Sequence, residues 1–150
     1  MIVLFAGSSF LSAQEIKRNS IEFGIASFGL SINYHRNINS FFDVGAAGFF
    51  GDGLFAITGA QVQGRLHPLQ GVFFFELGLG YAKIEEDPDS LIIKFDGDKG
   101  FMVHPGLGWQ FGLGRNQNLL FVPAISIPLI FGQEKQVGTI LLRLSLGLAF

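Results

Sequence analysis

The 150-residue chain is 49% hydrophobic and only 15% charged, against about 25% charged in an ordinary soluble domain, so it has too little polar surface to cover a water-facing globule. A formal net charge of −2 argues against nucleic acid as a partner, and the lack of cysteine excludes a disulfide scaffold, a thiolate zinc site and a Cys nucleophile. The length fits one domain, and no run after residue 14 approaches the roughly 18 to 20 apolar residues of a membrane helix. Lipid would then have to be crossed by strands closed into a barrel, where every backbone group finds a partner. The 21 glycines and 18 phenylalanines suit that option, as closely packed walls and a lipid-facing surface.

In chain order, residues 1–13 read as a signal peptide, with cleavage between Ala13 and Gln14 leaving 14–150 as the barrel domain. No Lys or Arg precedes its apolar run, and Leu11 is large for the −3 position; a true start upstream of Met1 accounts for the missing basic residues. Residues 18–36 change phase: Ile21, Phe23 and Ile25 are apolar at odd positions, Phe28, Leu30, Ile32 and Tyr34 at even ones. A two-residue hairpin at Ala26-Ser27 explains this, pairing Ile25 with Phe28, Phe23 with Leu30 and Ile21 with Ile32. One long bulged strand is the alternative. The other face carries Ser20, Glu22, Gly24, Gly29, Ser31 and Asn33.

Residues 37–40 read as a turn, 41–50 as a strand and 51–53 as a tight loop. In 54–66, Leu54, Ala56, Ala60, Val62 and Leu66 share one face, with Ile57, Gly59, Gln61, Gln63 and Arg65 on the other. After a turn at 67–71, Phe73, Phe75, Leu77, Leu79 and Tyr81 alternate with Phe74, Glu76, Gly78, Gly80 and Ala82. The polar segment 84–100 follows. Residues 101–113 then put Val103, Leu107, Trp109, Phe111 and Leu113 outward and His104, Gly106, Gly108, Gln110 and Gly112 inward. Past a turn at 115–118, residues 119–131 form a strand in which Pro123 and Pro128 remove ladder donors and predict a bulge. A loop at 132–136 leads into the last strand, where Leu142, Leu144, Leu146, Leu148 and Phe150 alternate with Arg143, Ser145, Gly147 and Ala149.

With the hairpin the count is eight strands, in line with the even numbers of single-chain bacterial barrels. The fold class is therefore all-β: an eight-stranded antiparallel transmembrane β-barrel with up-and-down meander order. Turns 37–40, 67–71 and 115–118 fall on the periplasmic side, and loops 51–53, 84–100 and 132–136 outside. Strand number, signal-like start and terminal Phe150 together resemble the small outer-membrane proteins of the OmpX/OmpA barrel type, over residues 18–150. The likeness to OmpA is to its barrel alone. It implies an outer-membrane location, lipid and lipopolysaccharide as surroundings, and roles ranging from envelope integrity and adhesion to an occasional lipid-modifying enzyme. It also implies that the C-terminal strand, through Leu142, Leu144, Leu146, Leu148 and Phe150, is the signal by which the barrel assembly machinery recognises the chain, and that the protein is monomeric.

An eight-stranded barrel is just wide enough for side chains to fill. The inward polar set is Glu22, Gln61, Gln63, Arg65, Glu76, His104, Gln110 and Arg143, and Glu76 should meet Arg143 mid-barrel, since a buried charge is costly unless paired. A structural plug of ion pairs is expected, with a gated pore as the alternative. His35 and His67 fall beside periplasmic turns, and no His-x-x-x-His or Glu-x-x-His spacing supports a metal site. Asp96-Gly97-Asp98-Lys99-Gly100 has part of a calcium-loop pattern but lacks its closing Glu. No Ser stands beside His104 in a motif characteristic of barrel-type lipid A deacylases. The expectation is a non-enzymatic barrel without cofactor or metal. A lipid A deacylase-like enzyme is one alternative; a soluble lipocalin-like binder, with an apolar interior and a polar exterior, is the other.

Overall fold

The computed structural model describes residues 19–27, 29–51, 57–68, 72–84, 99–114, 116–132, 136–138 and 140–150. Eleven strand segments form one antiparallel sheet: β1 Asn19–Ala26, β2 Gly29–Asn39, β3 Phe42–Phe50, β4 Ile57–Leu66, β5 Phe73–Ile84, β6 Lys99–Trp109, β7 Phe111–Leu113, β8 Leu119–Ser126, β9 Leu129–Phe131, β10 Gln136–Gly138 and β11 Leu141–Ala149. Three staves are interrupted, so that β6 with β7, β8 with β9 and β10 with β11 each make one wall element. The result is an eight-stranded up-and-down barrel, closed where β1 pairs with β11. At that seam the Asn19 N–H donates to the Phe150 carbonyl at 3.0 Å and the Phe150 N–H to Asn19 at 2.9 Å.

The closure is staggered. Hydrogen-bonded partners run from Glu22 through Asn33, Ala47, Gln61, Gly80, Met102 and Ile130 to Val137. Directly across the closing seam, Glu22 faces Gly147 instead. The offset between Val137 and Gly147 along the last stave is what tilts strands in a barrel.

The hairpin of residues 18–36 is present, but its turn lies one residue later. Ala26 pairs with Gly29, Ile25 with Leu30, Phe23 with Ile32 and Ile21 with Tyr34, correcting the pairing expected from a turn at Ala26-Ser27. Either turn puts odd residues opposite even ones, so alternation alone cannot choose between them. Gly29 decides it: φ is +131°, a conformation that favours glycine. The turn expected at 37–40 is also corrected, since β2 continues to Asn39 with a register shift between Asn37 and Asn39. At Pro128 the wall is broken without a bulge. The β8 and β9 segments keep the same register against β6, with Ser126 opposite Gly106 and Leu129 opposite Val103. The missing donors cost ladder bonds but not a residue of offset. Residues 1–13, expected to be a signal peptide, lie outside the described residues, as do most of the three loops expected on the outer side.

The exterior is apolar. Phe23, Ile25, Val62, Leu77, Leu142, Leu144, Leu146 and Leu148 are all exposed, Leu144 by 58%. Exposed aromatics gather toward both ends: Phe50, Tyr81, Phe101 and Phe131 near the loop end, and Phe41, Phe42, Phe75, Trp109, Phe111 and Phe150 near the end where Asn19 meets Phe150. An apolar band between two aromatic girdles is the surface of a barrel lying in a bilayer. This orientation is the reverse of a lipocalin's. Inside, apolar side chains collect at the two ends. Ala26, Ala47, Phe49, Ile57, Ala82, Met102, Ile130 and Leu141 fill the loop end, and Phe74, Leu120, Val122 and Ala124 the terminus end. Most of the buried polar residues lie between these two plugs, while Asp43 and His67 stand beside the second, the His67 ring 5.8 Å from that of Phe74.

Candidate functional site

Each inward polar side chain is placed by strand alternation, and the stagger brings residues distant in the chain to one level. The centre is Arg65 on β4, fully buried. Its Nη1 and Nη2 donate to Oε1 and Oε2 of Glu22 at 2.6 and 2.9 Å, and its Nε to Oε2 of Glu76 at 2.8 Å. Arg143 on β11 donates from Nη2 to the same Glu76 oxygen at 3.0 Å. The Arg65 guanidinium carbon also stands 4.4 Å from the ring centroid of Phe74, in cation–π range. Two carboxylates and two guanidiniums thus form a charge-balanced cluster. A single one of these charges would cost several kcal/mol left alone away from water.

A second chain of hydrogen bonds runs beside the cluster. His67 Nε2 lies 2.9 Å from Oδ2 of Asp43, and His35 Nδ1 lies 3.0 Å from Oδ1. His35 Nε2 meets Gln63 Nε2 at 2.9 Å, Gln61 Nε2 donates to Gln63 Oε1 at 2.7 Å, and Gln61 Oε1 faces His104 Nδ1 at 2.9 Å. His104 Nε2 ends the chain at Ser126 Oγ, 2.7 Å away. One direction satisfies every link. Ser126 donates to His104, whose Nδ1–H donates to Gln61; Gln61 donates to Gln63, Gln63 to His35, and both histidines to Asp43. Protons and amide orientations follow from that consistency. Gln61 can cross the lumen because Gly78 leaves room: a Cβ there would stand 2.5 Å from its Cδ.

Of the residues singled out in the sequence, Glu22, Arg65, Glu76 and Arg143 share the ion cluster, and Gln61, Gln63 and His104 share the hydrogen-bond chain. Gln110 belongs to neither. It sits half-buried in the break between β6 and β7, its N–H donating to the Val72 carbonyl at 2.7 Å. Sequence reading left four members out of the inward set, His67 among them, which it placed only beside a periplasmic turn. His35 is the next inward step after Ser31 and Asn33, Asp43 starts the inward row continued by Ala47 and Phe49, and Ser126 opposes Gly106 next to His104. Phenylalanine pairs at both ends of 41–50 blur the alternation that would have placed Asp43. Among the described residues, no group of three His, Asp or Glu is arranged to hold a metal ion.

Six buried polar atoms have no partner among the described residues: Ser31 Oγ, both amide atoms of Asn33, Nε and Nη1 of Arg143, and Ser145 Oγ. Each would cost about 1–3 kcal/mol if left dry. On the lipid side, a shallow hollow between Phe23, Ile25, Phe121, Leu142, Leu144 and Leu146 is relief in the apolar wall.

Closure, meander order, an apolar belt and a polar interior define a small transmembrane β-barrel. Among solved structures, the outer membrane protein Ail of Yersinia pestis in a phospholipid bilayer nanodisc is similar, with 15% identity and a TM-score of 0.52 over 88% of this chain and 98% of that one. A crystal structure of Ail, the attachment invasion locus protein of the same organism, aligns at 14% identity with a TM-score of 0.47, over 88% and 99% of the two chains. No protein-family model matches the chain, and no curated protein does. The shared feature is the fold, an eight-stranded outer-membrane barrel.

Proposed function

We propose that this chain is a non-enzymatic outer-membrane protein whose barrel is a solid lipid-spanning anchor and whose outer rim contributes to envelope structure or surface interaction. The observation that carries this reading is the inverted distribution of polarity: leucine and aromatic side chains outside, Arg65, Glu22 and Glu76 inside, and an apolar plug at either end of the polar core. Outer-membrane lipid and lipopolysaccharide are then the immediate surroundings, and the protein acts as a monomer. The alternating C-terminal strand serves as the assembly signal. The test is carbonate extraction of cell envelopes combined with gel mobility before and after boiling. Retention in the membrane and a faster-migrating unboiled form are expected; release into the carbonate wash would refute the reading.

A lipid-modifying enzyme has one observation in its favour. Ser126, His104 and Gln61 have the order of nucleophile, base and orienting acceptor, with the Ser–His contact at 2.7 Å. Against it, both Ser126 and His104 are buried, and Phe49 packs edge-on against His104 at 5.6 Å. That burial argues against access of a substrate carbonyl to Ser126. Incubation of the purified barrel with lipopolysaccharide is expected to release no acyl chains, and a fluorophosphonate probe is expected to leave Ser126 unlabelled.

A further inference from the structure

We infer that the lumen holds a built site for ordered water, against the inner wall formed by β2, β1 and β11. Gly24 lies at its centre, with Ser31 its cross-strand partner on one side and Ser145 on the other. A Cβ at Gly24 would come 2.8 Å from the Ser31 hydroxyl and closer still to that of Ser145, so the two hydroxyls converge over the glycine. Asn33, on the stave of Ser31, and Arg143, on that of Ser145, border the same patch of wall, and the polar atoms named above as unpartnered belong to these four residues alone.

Their chemistry selects the occupant. Arg143 offers two N–H directions, Asn33 both a donor and an acceptor, and each hydroxyl both roles. A mixed set of donors and acceptors suits water, which needs both, and polar buried cavities hold water where apolar ones stay dry. A small anion would accept from Arg143, the Asn33 amide and the two hydroxyls but would leave the Asn33 Oδ1 acceptor without a donor. The cluster of Glu22, Glu76, Arg65 and Arg143 is already charge-balanced, so an anion would add an uncompensated buried charge. The hydrogen bonds that water supplies also fix Nε and Nη1 of Arg143, whose Nη2 is held by Glu76. This site stands on lumen geometry alone and is independent of the role proposed for the outer rim.

The test is NMR of the full chain in phospholipid nanodiscs, reading magnetisation transfer from water to the Nε–H of Arg143 and to the Asn33 amide. Transfer is expected in the wild type, unchanged between chloride and gluconate buffers. It is expected to fall in Gly24→Ala, whose methyl occupies the place between the two hydroxyls, while the Arg65 Nε–H resonance keeps its position. Should Gly24→Ala fail to fold, Ser145→Ala supplies the second variant, with altered transfer at Arg143 expected. A dry Arg143 in the folded wild type would overturn the inference, and so would a chloride-dependent shift of its Nε–H, which would mark an anion site.

Discussion

Arg65 on β4 holds both carboxylate oxygens of Glu22 on β1, two residues separated by 43 positions in the chain and by two intervening staves. With the Arg65 Nε on Glu76, one guanidinium uses three of its nitrogens to tie three staves together. Replacing Arg65 by methionine roughly keeps the volume but strands the buried Glu22 carboxylate and leaves Glu76 to Arg143 alone, so Arg65→Met is expected to lower stability by about 3–5 kcal/mol. Adding Glu22→Gln should recover part of the loss. Urea unfolding in phospholipid vesicles, followed through the single tryptophan Trp109, measures both. A midpoint unchanged by Arg65→Met would show that the cluster does not support the barrel.

The lipid-facing leucines of β11 make a depth series. Leu144 sits in mid-strand and Leu148 near the end where Asn19 meets Phe150. Leu144→Arg is expected to cost about 2–4 kcal/mol and Leu148→Arg about 0–1 kcal/mol, as the bilayer midplane and interface dictate. Equal costs at the two sites would mean that this strand does not cross lipid.

Gly78→Ala removes the space over which Gln61 lies, separating His104 from Gln63. The expected result is a loss of about 1–3 kcal/mol, the cost of leaving buried donors and acceptors unmatched. Nitrogen NMR should show His104 no longer fixed with its proton on Nδ1. An unaltered His104 spectrum would break the proposed order of donors.

Phe150 offers a way to separate assembly from stability. Its backbone bonds to Asn19 survive truncation of the ring, so Phe150→Ala should unfold in urea close to wild type. Its insertion by reconstituted barrel assembly machinery is expected to slow. If insertion proceeds at the wild-type rate, the ring is not part of the signal.

The two apolar plugs should make the barrel non-conducting. In planar bilayers the wild type is expected to add no steady current. Steady channel openings would show that the plugs of Phe49 with Met102 and of Phe74 with Val122 do not close the lumen.

Most of the barrel could be read from the chain because alternation at period two reports directly which way each side chain points. Leu144 against Arg143 and Leu77 against Glu76 needed no further information. Register was less accessible, since a shift of two residues preserves every face; this is why the pairing of Ile25 with Leu30 had to come from coordinates. The partners of Arg65 were hidden for a related reason. Glu22, Glu76 and Arg143 could each be placed in the lumen, and Glu76 set against Arg143, but that Arg65 joins Glu22 to Glu76 depends on the stagger around the closed sheet. Ser126 escaped notice because its nearness to His104 is created by β6–β8 pairing and by no local motif.

The offset between Val137 and Gly147 has a last consequence, for calibre. In a closed sheet the bore follows from the number of staves and the total slip around the ring. One stave sliding by a single residue would expose its hydrophilic face to acyl tails, and sliding by two would resize the whole tube. Contacts of 2.6–3.0 Å between opposite walls tolerate neither change. Insertions and deletions should therefore be confined to the rims, leaving the wall itself a fixed gauge.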